Sequence, residues 1–170
     1  MLIPYKRIEP ILDQSVYLAP GACIIGDVEI KKQSSIWFGS VVRGDVSPIR
    51  IGVGTNIQDG AVIHTSRYDG PTYIGDYVTI GHKAIVHACN LEDYSFIGMG
   101  AIVMDGSIVE KYGFVAAGAV VPPGKVVKSR ELWAGVPAKK IRDLTDDDIK
   151  EIEESAKHYI KLAERYIRNQ

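Results

Sequence analysis

Cysteine is scarce in this chain: Cys23 and Cys89 are the only two among 170 residues. Two thiols build no disulfide framework, so a reducing, cytoplasmic setting is expected. Charge of one sign is not in excess either, with 20 basic against 21 acidic side chains and a formal net charge of -1. No basic stripe points to nucleic acid and no acidic tail to a docking segment. The apolar runs are far shorter than a membrane span, so no transmembrane helix and no membrane partner are expected. The opening residues Met1-Leu2-Ile3-Pro4-Tyr5-Lys6 lack the charged, apolar and small-residue zones of a signal peptide. The length fits one soluble domain with a sizeable core. What is abundant is glycine, 17 residues, spaced at intervals rather than gathered in linkers.

Those intervals belong to a repeat. Aliphatic residues recur every six positions as Leu18, Ile24, Ile30, Ile36 and Val42. After three extra residues the series resumes at Ile51, Ile57 and Ile63, and after five more at Ile74, Ile80 and Val86. A one-residue deletion then leads to Leu91, Ile97, Val103, Val109, Val115, Val121 and Val127. Four positions after many of these lies a small or β-branched residue: Ala22, Ser34, Ser40, Val46, Thr55, Ala61, Val78, Ala84, Ala101, Ser107 and Ala119. Side chains alternate along a strand, so a small residue two before an aliphatic shares its buried face. A period of six then calls for a corner after each short strand. Three strands close a triangular coil of about 18 residues, and coils stack by main-chain hydrogen bonds about 4.8 Å apart. The expected fold is an all-β solenoid, a left-handed parallel β-helix over residues 1–143. A C-terminal amphipathic helix over 144–170 completes the division. Thr145 reads as its N-cap, with Asp146, Asp147 and Asp148 in the first turn. Ile149, Ile152, Ala156, Tyr159, Ile160, Ala163 and Ile167 then follow helical spacing, giving a face to lie on the solenoid.

With the three faces named a, b and c from Ile51 onward, Val42, Ile63 and Val86 lead face c. The residue after each points outward, so Arg43, His64 and His87 fall in three successive coils of one outer face. His64 and His87 become stacked neighbours about one strand spacing apart, close enough to share a tetrahedral metal with metal–nitrogen distances of about 2.0–2.1 Å. His82 lies at a corner two residues after Ile80, with Asp59 one coil below and Met99 one coil above. From there it is expected to reach the metal of a neighbouring subunit rather than its own, which predicts a homotrimer with metal sites at the interfaces. The fourth histidine, His158, reads as a surface or packing residue, and Cys23 and Cys89 as small packed or solvated thiols.

Arg43-Gly44-Asp45, Asn56-Ile57-Gln58-Asp59-Gly60, His64, and Gly81-His82 with His87 five residues further on resemble the γ-class carbonic anhydrase family of hexapeptide-repeat proteins. The resemblance runs from about Leu18 to Trp133-Ala134-Gly135-Val136-Pro137-Ala138-Lys139 and the terminal helix. It implies metal-dependent, reversible hydration of CO2, a small-molecule substrate, with Zn2+ (or Fe2+ or Co2+) on His64, His82 and His87. It also implies that Gln58 orients the attacking oxygen, that Arg43 and Asp45 pair at the subunit interface, and that Asp59 belongs to the same motif.

Two departures place the chain in the shorter, loop-less branch of that family. Val46 stands where the best-characterised pattern has a glutamate after Arg-x-Asp. The acid-rich loop after the first histidine is reduced to residues 65–71, with Asp69 its only carboxylate. Proton transfer needs a group within reach and of matched pKa, so hydroxide is expected to regenerate slowly, with Tyr159, Tyr166 or a buffer molecule as the substitutes. Competing functions are a metal-loaded protein without turnover, hydrolysis of an acyl-coenzyme A thioester, and acyl transfer. The last is disfavoured because hexapeptide acyltransferases generally use one histidine rather than three.

Overall fold

A computed structural model describes residues 1–68 and 70–169; Asp69 lies outside them. The backbone winds into about seven coils of parallel strands, followed by one helix. The strand registers reproduce the repeat as three vertical ladders. On face b, Leu18, Ile36, Ile57, Ile80, Ile97, Val115 and Trp133 stand one above another. On face c the ladder is Ile24, Val42, Ile63, Val86, Val103 and Val121. Face a stacks Leu12, Ile30, Ile51, Ile74, Leu91, Val109 and Val127. These ladders form one continuous core in which Ile57, Ile63, Ile80 and Val86 are fully buried. Faces a and c belong to one sheet because Cys23–Ile30 and Val41–Ile51 run without a break round the corner between them. Face b is a separate, eight-stranded sheet closed at its far end by the antiparallel pair Glu131–Gly135 and Ala138–Asp143.

The small inward residues finish each corner. Several carry a hydroxyl that donates to a main-chain carbonyl, Ser34 to Gly52 at 2.7 Å, Ser40 to Gln58 at 2.8 Å and Thr55 to Gly75 at 2.8 Å, whereas the buried Ser95 hydroxyl has no partner among the described residues. A buried hydroxyl without such an acceptor would carry a desolvation cost. Val46 breaks the expectation. It is 44 % exposed, because the three extra residues of its coil lift it out of the inward register.

The C-terminal helix, Asp146–Arg168, starts at the N-cap Thr145. The cap is reciprocal: the Thr145 side chain accepts from the Asp148 N–H while the Asp148 carboxylate accepts from the Thr145 N–H at 2.7 Å. The helix lies along face b. Ile152, Ala156 and Ala163 are buried, Ser155 meets Thr79 at 3.2 Å, and Tyr159 and Tyr166 pack on Trp37. Among the described residues no helix is long and apolar enough to cross a membrane.

Candidate metal centre

His64 and His87 are held by the ladder itself. Each ends a short strand, Val62–His64 and Ile85–His87, whose middle residue, Ile63 or Val86, is fully buried. The two strands pair in register with His87 opposite His64. With the middle side chain fixed inward, the next one points out, and two coils in register place two such rings side by side. The ring centroids are 5.2 Å apart, and His64 Nδ1 and His87 Nε2 approach to 3.2 Å.

A carboxylate stands behind each ring. Asp45 Oδ1 lies 2.9 Å from His64 Nε2, and Asp105 Oδ1 lies 2.6 Å from His87 Nδ1. A carboxylate accepts, so the ring nitrogen beside it carries the proton and the opposite nitrogen keeps its lone pair. With both rings neutral in that tautomer, two lone pairs face one another across 3.2 Å, whereas with one ring doubly protonated the same contact is an N–H···N hydrogen bond. Two nitrogens of a tetrahedral site with bonds near 2.05 Å are about 3.3 Å apart, so the pair fits a metal of that kind. Burial by itself would raise the Asp45 carboxyl, but hydrogen bonds from His64 and Arg43 with the guanidinium charge outweigh it and hold it below the usual range. At Asp105 burial is likewise outweighed, by the hydrogen bond and charge of His87 together with a Ser66 hydrogen bond.

His82 belongs to another face. It follows Thr79–Ile80 of the eight-stranded sheet, whereas His64 and His87 lie in the twelve-stranded one. Its Nδ1 is 2.8 Å from Asp59 Oδ2, and its side chain is 42 % exposed. Among the described residues no group of three histidine, cysteine, aspartate or glutamate side chains within this chain is set to hold a metal. The chain thus brings His64 and His87 together and leaves His82 apart.

The remaining expected residues divide between the same two places. Arg43 pairs with Asp45 within one chain, beside His64. Gln58 is on face b, buried, with its Nε2 donating to Asn56 Oδ1 at 3.0 Å; Asn56 in turn donates to Thr79 Oγ1 at 3.0 Å. Tyr159 lies on the helix that covers this face, and burial together with the charge of Asp59 pushes its phenol upward. Asp105 was not singled out by sequence reasoning. The signal was faint: the coil from Val86 to Val103 is one residue short, so Asp105 stands above Ala88, one position past the residue over His87.

Ladders of this kind, about seven coils deep with a three-sided hydrophobic interior, define a left-handed parallel β-helix of the hexapeptide-repeat class. The backbone matches a hexapeptide transferase family protein from Anaplasma phagocytophilum with a TM-score of 0.94 and 49 % identity, covering 98 % of each chain. Comparison with protein-family models gives no match. A probable carbonic anhydrase of Methanocaldococcus jannaschii is 50 % identical over 153 residues, 90 % of this chain and 96 % of its own length. Mitochondrial gamma carbonic anhydrase 2 of Arabidopsis thaliana is 50 % identical over 160 residues, 91 % of this chain. The chain spans 58 % of the length of that plant relative. The chain belongs to the gamma carbonic anhydrase family.

Proposed function

We propose that the chain assembles as a homotrimer and catalyses the reversible hydration of CO2 to bicarbonate at a divalent metal centre shared between subunits. His64 and His87 of one subunit and His82 of the partner subunit hold the ion; Zn2+, Fe2+ and Co2+ suit three imidazoles. The observation that carries this reading is the His64–His87 pair, two nitrogens 3.2 Å apart with a carboxylate behind each ring. His82 also has a carboxylate beside it, Asp59 at 2.8 Å, on a face its own chain keeps apart. Support for association comes from the column of outward residues beside the two rings. Val62 and Ile85 are each 39 % exposed there, and Met104, in the rings' own column above His87, is 37 % exposed, an apolar strip of the kind that oligomer interfaces cover.

When bound, a divalent ion in such a set acidifies water toward neutrality and so supplies hydroxide for attack on CO2. The chain's own groups orient that reaction. Asp45 and Asp59 hold the rings of His64 and His82, and Arg43 holds Asp45. Gln58 has its amide nitrogen committed to Asn56, which directs its amide oxygen to accept a hydrogen bond from the attacking oxygen. The relatives named as carbonic anhydrases favour this reaction for the centre.

The test is stopped-flow CO2 hydration by the Zn2+ and Fe2+ forms, with metal content measured. His82→Ala is expected to lose metal from every site and at least about a hundredfold in rate, while the repeat core stays folded by circular dichroism. One metal per chain retained in His82→Ala would show that the third ligand is wrong. Fully loaded protein without turnover would overturn the hydratase reading.

A further inference from the structure

The outward side of face c has a third participant besides the two histidines. Asp105 follows the buried Val103 in the coil above His87. Its main chain is tied to both neighbouring coils: the Gly106 N–H donates to the Ala88 carbonyl at 2.8 Å, and the Gly124 N–H to the Asp105 carbonyl at 2.9 Å. Gly106 itself takes a positive φ of 67°, the conformation of a tight corner, so the Asp105 side chain leaves the coil from a fixed point. Its Oδ1 meets His87 Nδ1 at 2.6 Å.

We propose that Asp105 is a positioning residue of the metal centre. By accepting the Nδ1–H of His87 it turns the Nε2 lone pair of that ring toward His64 and sets how tightly the shared site holds a divalent cation. This rests on the reading of the centre given above. Asp45 divides its two oxygens between His64 and Arg43, so the positive charge of Arg43 offsets part of its pull on the ring. Among the described residues no lysine or arginine pairs with Asp105, so its carboxylate faces His87 without a competing cation. A carboxylate behind a ligating imidazole fixes its tautomer and raises its basicity, and loss of such a partner weakens metal binding by about 10- to 100-fold.

The test compares the wild-type protein with Asp105→Ala and Asp105→Asn. Zn2+ and Co2+ affinities come from competition with a chromophoric chelator, alongside oligomer mass. The 15N shifts of His87 are read in metal-free protein. Asp105→Ala is expected to weaken both metals by about 10- to 100-fold at unchanged mass. Asp105→Asn, which keeps an acceptor but not the charge, falls between. His87 is expected as the Nδ1–H tautomer in the wild type and as a mixture in Asp105→Ala. Affinities within about twofold of wild type in both variants would overturn the proposal. So would an Nε2–H tautomer of His87 in the unmutated protein, a result that needs no folded variant. A wild-type protein that binds no divalent ion would remove the metal reading instead, while the tautomer would still decide whether Asp105 directs the ring.

Discussion

Cys89 and His87 stand two residues apart, yet the winding of the chain gives them opposite environments. Cys89 is 4 % exposed and lies in the core with Leu91 and Ile74. Burial, with a smaller push from the charge of Asp105, raises its thiol to about 12. A thiol reacts as its thiolate, so Cys89 is expected to be inert toward dithiobisnitrobenzoate in the native protein and to react promptly in denaturant. A Cys23→Ser background isolates it, and rapid native labelling would show that the inward register is wrong at this coil. The same register explains what was legible among the site residues. The stacking of His64 on His87 follows from counting sixes through a five-residue insertion, because burial of Ile63 and Val86 leaves the next side chain no other direction. Asp105 was harder to see because no motif marks it, and the shortened coil from Val86 to Val103 sets Met104 rather than Asp105 directly over His87. The contacts of Gln58 with Asn56 depend on side-chain torsions that periodicity does not encode.

At the scale of elements, the repeat is regular except at one corner. The three irregular steps, Val42 to Ile51, Ile63 to Ile74 and Val86 to Leu91, all join face c to face a. They begin just after Arg43, His64 and His87, so the sheet is least regular beside the side chains proposed to carry the chemistry. An insertion can loop outward there without disturbing the ladder, as Val46 does. This is why the ladders were readable through the insertions and the exposure of Val46 was not. The helix offers a test of a different kind. The Thr145 hydroxyl donates to Asp148 Oδ2 at 2.8 Å and Arg142 donates to both Asp148 oxygens, at 2.6 and 2.9 Å. The Arg142 bonds first, then those from Thr145, hold the Asp148 carboxyl far below the usual range. A group depressed in the folded state stabilises it above the unfolded pKa of about 3.9 and loses that contribution as pH falls below it. Helix melting followed by circular dichroism should therefore weaken below about pH 4, and Asp148→Asn should show a flatter acid limb. Thr145→Ala should cost about 1 kcal/mol at neutral pH through loss of the cap. An acid limb identical in wild type and Asp148→Asn would remove Asp148 from the account.

At the scale of the whole molecule, the placement of the histidines makes a prediction that no single chain can satisfy. His64 and His87 share a face, and His82 lies on another. If a centre needs the first two from one subunit and the third from the next, a trimer of His82→Ala chains has no complete site. Nor has a trimer of His87→Ala chains. The two defects are on different sides of the interface, so in a mixed trimer a His82→Ala subunit can meet an intact His82 on a His87→Ala partner. Each site is directional, and random mixing at equal concentrations puts the right pair together with a probability of about one quarter. Co-refolding the two variants should thus restore about a quarter of the wild-type metal content, measured after gel filtration at the trimer mass. The restored fraction should bind Co2+ as tightly as the wild type, since each rescued site is chemically whole. Sites built within one chain would give a different result, because every chain in the mixture lacks one ligand and mixing would restore none. Rescue also separates the metal reading from the reaction. Mixed trimers that regain metal without hydrating CO2 would establish the shared centre and leave its chemistry to be sought elsewhere.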